Sequence, residues 1–476
     1  MSNRRFTLCL IATAILSGLV CVFALPGWAG KGVFLAADPT ADPAYLLAQP
    51  CLHGNLIDAP LPESQPAMPA IEAFAFEPEL VILTSGQNEG QLEICNCADS
   101  MEGGLSRRLS VVKAYRQRWP QTVLVDTGDL SAVQADATMD SFIRQGYGLL
   151  QYDAVAIGDQ DLDAWASQPA AVLTQLPWLS GNLELAGVPT LAAAKTISRG
   201  GHEIQITARL TPQAAQFLEP KVREKATVHP LPITPALSEP AALRILLLHR
   251  DDYETITEEL VAGFDLVILS QVSPDPFPPH QVGQAWVVAP PPTGKGLGVA
   301  ALTLDGGRIR QFAWREQRIE AGQWPRDQTG WQLYQSYTAA AMREKQAAPQ
   351  PAGLPYQSSF ACGRCHPAEY RQWQTTGHAH AYATLRAVHR QEDPACLGCH
   401  TSGAGTKEGF VNPQRTAQLA NVNCMDCHRL NPSEHLAQPQ RPLAKVDETT
   451  CRGCHTEVAS PTFQYGKAVP KVSHAH

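Results

Sequence analysis

The residues best equipped for chemistry form four copies of one pentapeptide: Cys362-Gly-Arg-Cys365-His366, Cys396-Leu-Gly-Cys399-His400, Cys424-Met-Asp-Cys427-His428 and Cys451-Arg-Gly-Cys454-His455. Cys-x-x-Cys-His is the attachment sequence of c-type haem. Two cysteines three apart reach the two vinyl groups of one porphyrin, and the histidine that follows falls beneath the iron as its proximal ligand. Paired Cys-x-x-Cys units also build four-thiolate zinc sites. Zinc does not account for a histidine directly after the second cysteine in every copy. The pattern therefore predicts four c-type haems, with His366, His400, His428 and His455 as proximal ligands.

Six further histidines lie in the same stretch: His378, His380, His389, His435, His474 and His476. An iron held by two imidazoles is a low-spin electron carrier, so these are candidates for the distal positions. His378 and His380 are two apart and on a helix cannot both face one haem. About 120 residues would carry all four haems, too little chain for an ordinary side-chain core. The porphyrins must then supply much of the core, close enough together for electrons to pass between them.

The rest of the chain must position and deliver this array. The 476 residues are 44% hydrophobic and 17% charged, enough for two or three domains, and a net charge of −8 argues against nucleic acid as a partner. Ten of the fifteen histidines and eight of the thirteen cysteines lie beyond residue 354, which marks a separate metal-loaded domain. Arg4 and Arg5, an apolar run from Leu8 to Leu25 and Gly27-Trp28-Ala29 have the plan of a secretory signal. The run is also just long enough to span a bilayer, so residues 1–29 read as a signal peptide or a membrane anchor. Either places the body in the periplasm or on the outer face of the cytoplasmic membrane, where redox partner proteins would meet it.

Residues 30–78, rich in proline and alanine, read as a tether containing an unpaired Cys51. Residues 79–322 alternate strands and helices. Strands are expected at 80–84, 122–126, 153–157, 243–248, 265–269, 286–288, 298–304 and 309–314, and helices at 104–119, 139–151, 160–175 and 251–262. This predicts an α/β domain with stacked sheets. Residues 323–356 read as a helix, with Trp331, Tyr334, Tyr337 and Ala341 as a core-facing stripe, followed by a linker at 347–353; the haem domain occupies 357–476.

The last domain resembles the tetrahaem cytochromes c of the type that accept electrons from hydroxylamine oxidoreductase. The likeness rests on Cys362-x-x-Cys-His-Pro367, on Tyr370-x-x-Trp373-x-x-x-Gly377-His378, on Cys424-x-x-Cys-His428 with His435 seven residues on, and on a closing Phe463…His474. It implies a mostly α, haem-packed fold with His378, His435 and His474 as distal ligands; that family often leaves one iron five-coordinate, and His380 remains a candidate for it.

Residues 80–320 resemble the calcineurin-like metallophosphatases of the periplasmic 5′-nucleotidase branch, which includes the thiosulfohydrolases of sulfur oxidation. The resemblance implies a two-metal site on loops after strands, with the ordered set Asp-x-His, Gly-Asp, Gly-Asn-His, His and Gly-His-x-His. Here Gln87-Asn88-Glu89 stands for the first, Gly128-Asp129 is intact, Gly158-Asp159-Gln160 replaces the third, His249 survives and Ser270-Gln271-Val272-Ser273 replaces the last. Glu89, Asp129, Asp159 and His249 are too few to hold a bridged pair. The expectation is a degenerate domain for binding or docking, with no second metal. Cys95-Asn96-Cys97 beside that site reads either as a local disulfide or free thiols, or as a redox or metal-binding pair.

The resulting reading is an electron-carrying multihaem cytochrome. Two alternatives stay beside it: a bifunctional protein with a working metal-dependent phosphoesterase or nucleotidase domain, and an oxidoreductase acting on a small nitrogen or sulfur compound at an open haem.

Overall fold

The computed structural model describes residues 66–474 apart from 94–101, 133–136, 167–175, 188–189, 231–241, 251–254, 272, 274, 444, 457–458 and 461. The signal or anchor, most of the tether, Cys51, the Cys95/Cys97 pair and His476 lie outside the described residues.

Unbroken apolar runs make strands buried on both faces. In β1 (Leu80–Ser85) every residue is buried. Successive side chains point to opposite sides: Leu80 and Ile82 enter a core between two sheets, Val81 and Leu83 one beneath helices. β1 pairs in parallel with β2 (Thr122–Asp126), which leads to β3 (Ala154–Ala156) and β4 (Trp178–Leu179). On its other edge β13 (Gly296–Asp305) runs antiparallel to β1 and to β14 (Arg308–Arg318). The order is β14-β13-β1-β2-β3-β4.

The second sheet has parallel β7 (His202–Leu210), β9 (Leu243–His249), β10 (Leu266–Leu269) and β12 (Ala285–Val288) at its centre. Antiparallel β6 (Ala194–Arg199) and β11 (His280–Val282) close its edges, and β5 (Leu183–Leu185) pairs with β8 (Ala226–Val228) in a separate antiparallel ribbon. Ile204, Ile206, Leu243, Ile245, Leu247, Leu266 and Ile268 face the first sheet across the shared core. Helices α1 (Leu105–Arg118), α2 (Ala137–Leu150) and α3 (Asp159–Ala166) lie outside the first sheet, with Leu105, Leu109, Val112, Tyr115, Ile143 and Tyr147 turned inward. Mixed sheets stacked face to face with helices outside form the α/β sandwich.

One hairpin departs from the expected strands. β6 and β7 are joined at Gly200-Gly201, with φ 58° and 82°, and Arg199 pairs with His202. Those angles are the left-handed pair a two-residue turn needs, and glycine adopts them without a Cβ clash.

Helix α4 (Gln328–Ala347) starts at Asp327, whose carboxylate accepts the N–H groups of Thr329 and Gly330. Gly330 is required there, since a Cβ would lie 2.7 Å from Leu109 and 2.8 Å from the Ser106 backbone. Tyr337 meets Phe142 of α2 edge-on at 5.8 Å, so the aromatic stripe does pack into the α/β domain. The following segment is pinned: Lys407 N–H donates to the Pro351 carbonyl at 2.9 Å and Gly353 N–H to Glu408 at 2.6 Å.

Beyond it the chain is short helices. Each haem motif lies on or just after a capped helix start: Ser358, Asp393, Asn423 and Asp447 are the N-cap residues, and Asn423 forms a full capping box with Asp426. The buried side-chain cluster of this region is small: Tyr382, Leu385, Cys396, Leu397, Phe410 and Leu419. No helix among the described residues is long and apolar enough to cross a membrane.

Candidate functional site

The first and fourth motifs make the same turn. The N–H groups of Cys365 and His366 both donate to the Cys362 carbonyl, and those of Cys454 and His455 to Cys451. None of the eight motif cysteines is joined in a disulfide. The motifs are also neighbours in space: Cys424 reaches Ser359 at the start of the first motif's helix, the Cys362 and Cys424 thiols shift each other's pKa, and so do those of Cys399 and Cys454. The first motif therefore lies beside the third, and the second beside the fourth.

Three histidine pairs face each other. Ring centroids of His366 and His435 are 6.1 Å apart, those of His378 and His455 6.2 Å, and those of His428 and His474 6.2 Å. This is too far for a hydrogen bond between rings. Two metal–imidazole bonds of about 2 Å each, with the ring half-widths added, come to about 6 Å. The Nδ1 atoms of His428 and His474 are buried without a partner. Burial and the facing ring of His455 lower the His378 pKa, and burial with His474 and His366 lowers that of His428. Neutral imidazoles are the form that binds metal. These residues fit a c-type haem iron between each pair.

His400 differs. Its Nδ1 lies 2.8 Å from the Ala381 carbonyl and 3.2 Å from Thr384 Oγ1. A carbonyl only accepts, so Nδ1 carries the proton and Nε2 keeps the lone pair that a metal needs. Among the described residues no histidine ring faces it. The exposed His380 turns away, with Nε2 against the Gln374 carbonyl at 3.1 Å. His389 occupies a left-handed turn at φ 57° after the 381–387 helix.

In the α/β domain, loops at the carboxyl ends of β1, β2, β3, β9 and β10 converge, the usual place for a site in an open parallel sheet. Gln87 and Glu89 donate backbone N–H groups to Gly128 and Asp129. A Cβ on Gly158 would lie 1.9 Å from Asp129 Oδ1, so only glycine fits. Asp129, Asp159 and His249 bring one ligand atom each within 4.8 Å of one another. His249 Nδ1 donates to the Thr127 carbonyl at 2.9 Å, and Nε2 lies 2.9 Å from Asp159 and 3.5 Å from Asp129. Burial alone would lower the His249 pKa, but the two carboxylates outweigh it and raise it to about 10. Burial also pushes the Asp129 pKa well up, and Nε2 is engaged by both carboxylates.

Glu89 stands outside this trio; burial raises its pKa against the pull of Lys295. The side-chain oxygens of Gln87, Gln160 and Gln271, at positions where the metallophosphatase resemblance implies ligands, are buried and unpartnered. Three donors match the number in a mononuclear site, and they do not fit a bridged metal pair.

Sequence reasoning missed two supporting acids. Asp161 accepts the N–H groups of Asp129, Ser131 and Gly158 at 2.8–3.0 Å, tying two loops together. Asp126, at the end of β2, accepts from Ser85, Asn88, Tyr147 and the Gly128 N–H, while the buried Arg108 donates to Asn88 at 2.5 Å. An acid ending a buried strand was the available signal. Asp126→Ala would leave these buried donors without their acceptor. The expected loss is about 1–3 kcal/mol of stability, read as a lower urea midpoint for the α/β domain.

Residues 361–429 match the family model for cytochrome c554 and c-prime. Cytochrome c-554 of Nitrosomonas europaea is 27% identical over 151 residues, covering 25% of this chain and 64% of that protein. The alignment thus spans just under two thirds of that relative. The C-terminal region is similar to c-type cytochromes of this kind, and c-type haem is the cofactor that similarity implies. The solved structures similar to the N-terminal part are metallophosphatase-like. The Thermus thermophilus sulfate thiohydrolase SoxB is 15% identical with a TM-score of 0.47, over 56% of this chain and 62% of that one. A 5′-nucleotidase precursor from Thermus thermophilus is 16% identical with a TM-score of 0.47, over 58% and 61%. The calcineurin-like phosphoesterase YfkN of Bacillus subtilis is 18% identical with a TM-score of 0.42, over 55% and 97%.

Proposed function

We propose that this chain is an exported cytochrome that moves electrons through four covalently attached haems. The attachment pairs are Cys362/Cys365, Cys396/Cys399, Cys424/Cys427 and Cys451/Cys454. His366, His400, His428 and His455 are the proximal ligands, and His435, His474 and His378 the distal ligands to the first, third and fourth irons. The observation that carries this reading is the set of three facing histidine pairs, each spaced for one metal atom and each containing one motif histidine. The contacts between motifs one and three and between two and four support close haem pairs, through which electrons pass without a mobile carrier. When bound, the haem supplies the one-electron redox couple; His366/His435, His428/His474 and His378/His455 would hold three of the irons between fixed imidazoles, which keeps the two oxidation states alike in geometry.

The α/β domain serves binding or docking, and redox proteins of the periplasm or of the outer face of the cytoplasmic membrane are the partners. Export is supported by the charged start and apolar run at the N-terminus and by the place where bacteria attach c-type haem. The intact mass of the denatured protein tests the reading: four haems of added mass are expected, and bound zinc with no haem would end it.

A second reading rests on His400, which no histidine ring faces among the described residues. An iron there with an open face could act on a small nitrogen or sulfur compound. Binding of carbon monoxide to one haem of the reduced protein would favour it.

A further inference from the structure

The second haem motif is bound to the α/β domain by a buried polar contact. Tyr334 of α4 donates its hydroxyl to Asp393 Oδ2. Asp393 is 3% exposed, Tyr334 5% and Arg390 7%. Arg390 reaches the same carboxylate oxygen through two nitrogens at 2.6 and 3.1 Å and lies over the Tyr334 ring at 5.4 Å. The other oxygen accepts the Ala395 N–H at 2.9 Å and caps the helix Pro394–His400, which carries Cys396, Cys399 and His400. Cys396 lies on the first turn of that helix, its N–H donating to the Asp393 carbonyl at 3.0 Å, and burial, with the Asp393 carboxylate, pushes its thiol pKa up. Burial works against the Asp393 charge, but Arg390, the Tyr334 hydroxyl and the Ala395 N–H outweigh it and hold its carboxyl below the ordinary range.

We propose that Tyr334 is a positioning residue through which the α/β domain sets the reduction potential of the haem attached at Cys396 and Cys399. This rests on the tetrahaem reading above. A carboxylate fixed near a thioether sulfur favours the ferric state of that haem, because its negative charge stabilises the extra positive charge on iron. Each donor to Asp393 draws off part of that charge and so raises the potential. Tyr334 is the donor from the other domain, and its own place is fixed by the packing of α4 on α1 and α2. The α/β domain thereby acts on one haem and leaves the other three alone.

Two conservative changes separate this from a merely structural role. Tyr334→Phe keeps the ring and removes one donor, so one midpoint potential should fall. Asp393→Asn keeps a good N-cap residue and removes the charge while Arg390 remains, so the same midpoint should rise. A tenfold change in that one-electron equilibrium is about 59 mV, readily seen in a spectroelectrochemical titration of the full-length haem-loaded protein. One of four steps moving, in opposite directions for the two variants, is the expected result. Four haems bound with no step moved, all four moved alike, or both variants shifting in one direction would overturn the proposal. If Asp393→Asn loses a haem, Tyr334→Phe alone decides it. Fewer than four haems on the unaltered protein would instead overturn the tetrahaem reading, and the mass measurement shows that independently.

Discussion

Replacing His435, His378 or His474 singly with alanine is expected to convert one low-spin haem into a high-spin, ligand-accessible one. In each case the ring removed faces a motif histidine at 6.1–6.2 Å. Alanine leaves a cavity of imidazole size on one side of the iron, open to water or added imidazole, while the thioethers and the proximal histidine hold the haem in place. The EPR spectrum should gain one high-spin signal at the expense of one low-spin signal, and free imidazole should reverse the change. His380→Ala should be silent, since that ring is exposed and hydrogen-bonded to the Gln374 carbonyl. Unchanged spectra in all three variants would mean that the facing pairs do not bracket iron, and the electron-transfer reading would lose its main support.

Those pairs could not be read from spacing. His366 meets His435, His378 meets His455 and His428 meets His474, each across dozens of residues and two or more short helices. The motif dictates only the local turn that puts one histidine after two cysteines; the partner depends on how the helices stack. The likeness to tetrahaem cytochromes implies His378, His435 and His474, with His380 as a further candidate, without saying which motif each would face. His400 shows the same limit, because its Nδ1 partner, the Ala381 carbonyl, is a backbone group that no sequence pattern marks.

The sheets were more legible, because strands buried on both faces must be continuously apolar. Leu80–Leu83, Val123–Val125, Ile245–Leu248 and Leu266–Leu269 meet that condition and lie within the strands found. β6 was missed because its exposed and half-buried residues carry no apolar run, although Gly200-Gly201 was a usable turn signal. In α4 the aromatic stripe was read as core. Tyr334 is core, yet its hydroxyl also crosses to Asp393, a link that helical periodicity cannot reveal. The segment at 347–353 was read as a linker from its composition, while its backbone is tied to residues 407 and 408.

Hydrolysis of nucleotides or model phosphodiesters by the full-length protein, with manganese or zinc added, is expected to stay below ~1 per second, the lower end of ordinary enzyme turnover. A two-metal hydrolase needs a bridging carboxylate and enough further donors to fix both ions and activate a water. Of the described residues only Asp129, Asp159 and His249 converge. A cation entering there must draw His249 Nε2 away from Asp159 and Asp129, which it meets at 2.9 and 3.5 Å. Gln87, Gln160 and Gln271 offer only neutral amide oxygens for a second ion. The neighbouring Arg108 adds a buried positive charge that discourages one further. Metal analysis should therefore find fewer than two non-haem ions per chain. Turnover above that rate, abolished by Asp129→Ala and accompanied by two bound ions, would make the α/β domain a working phosphoesterase and the chain a bifunctional enzyme.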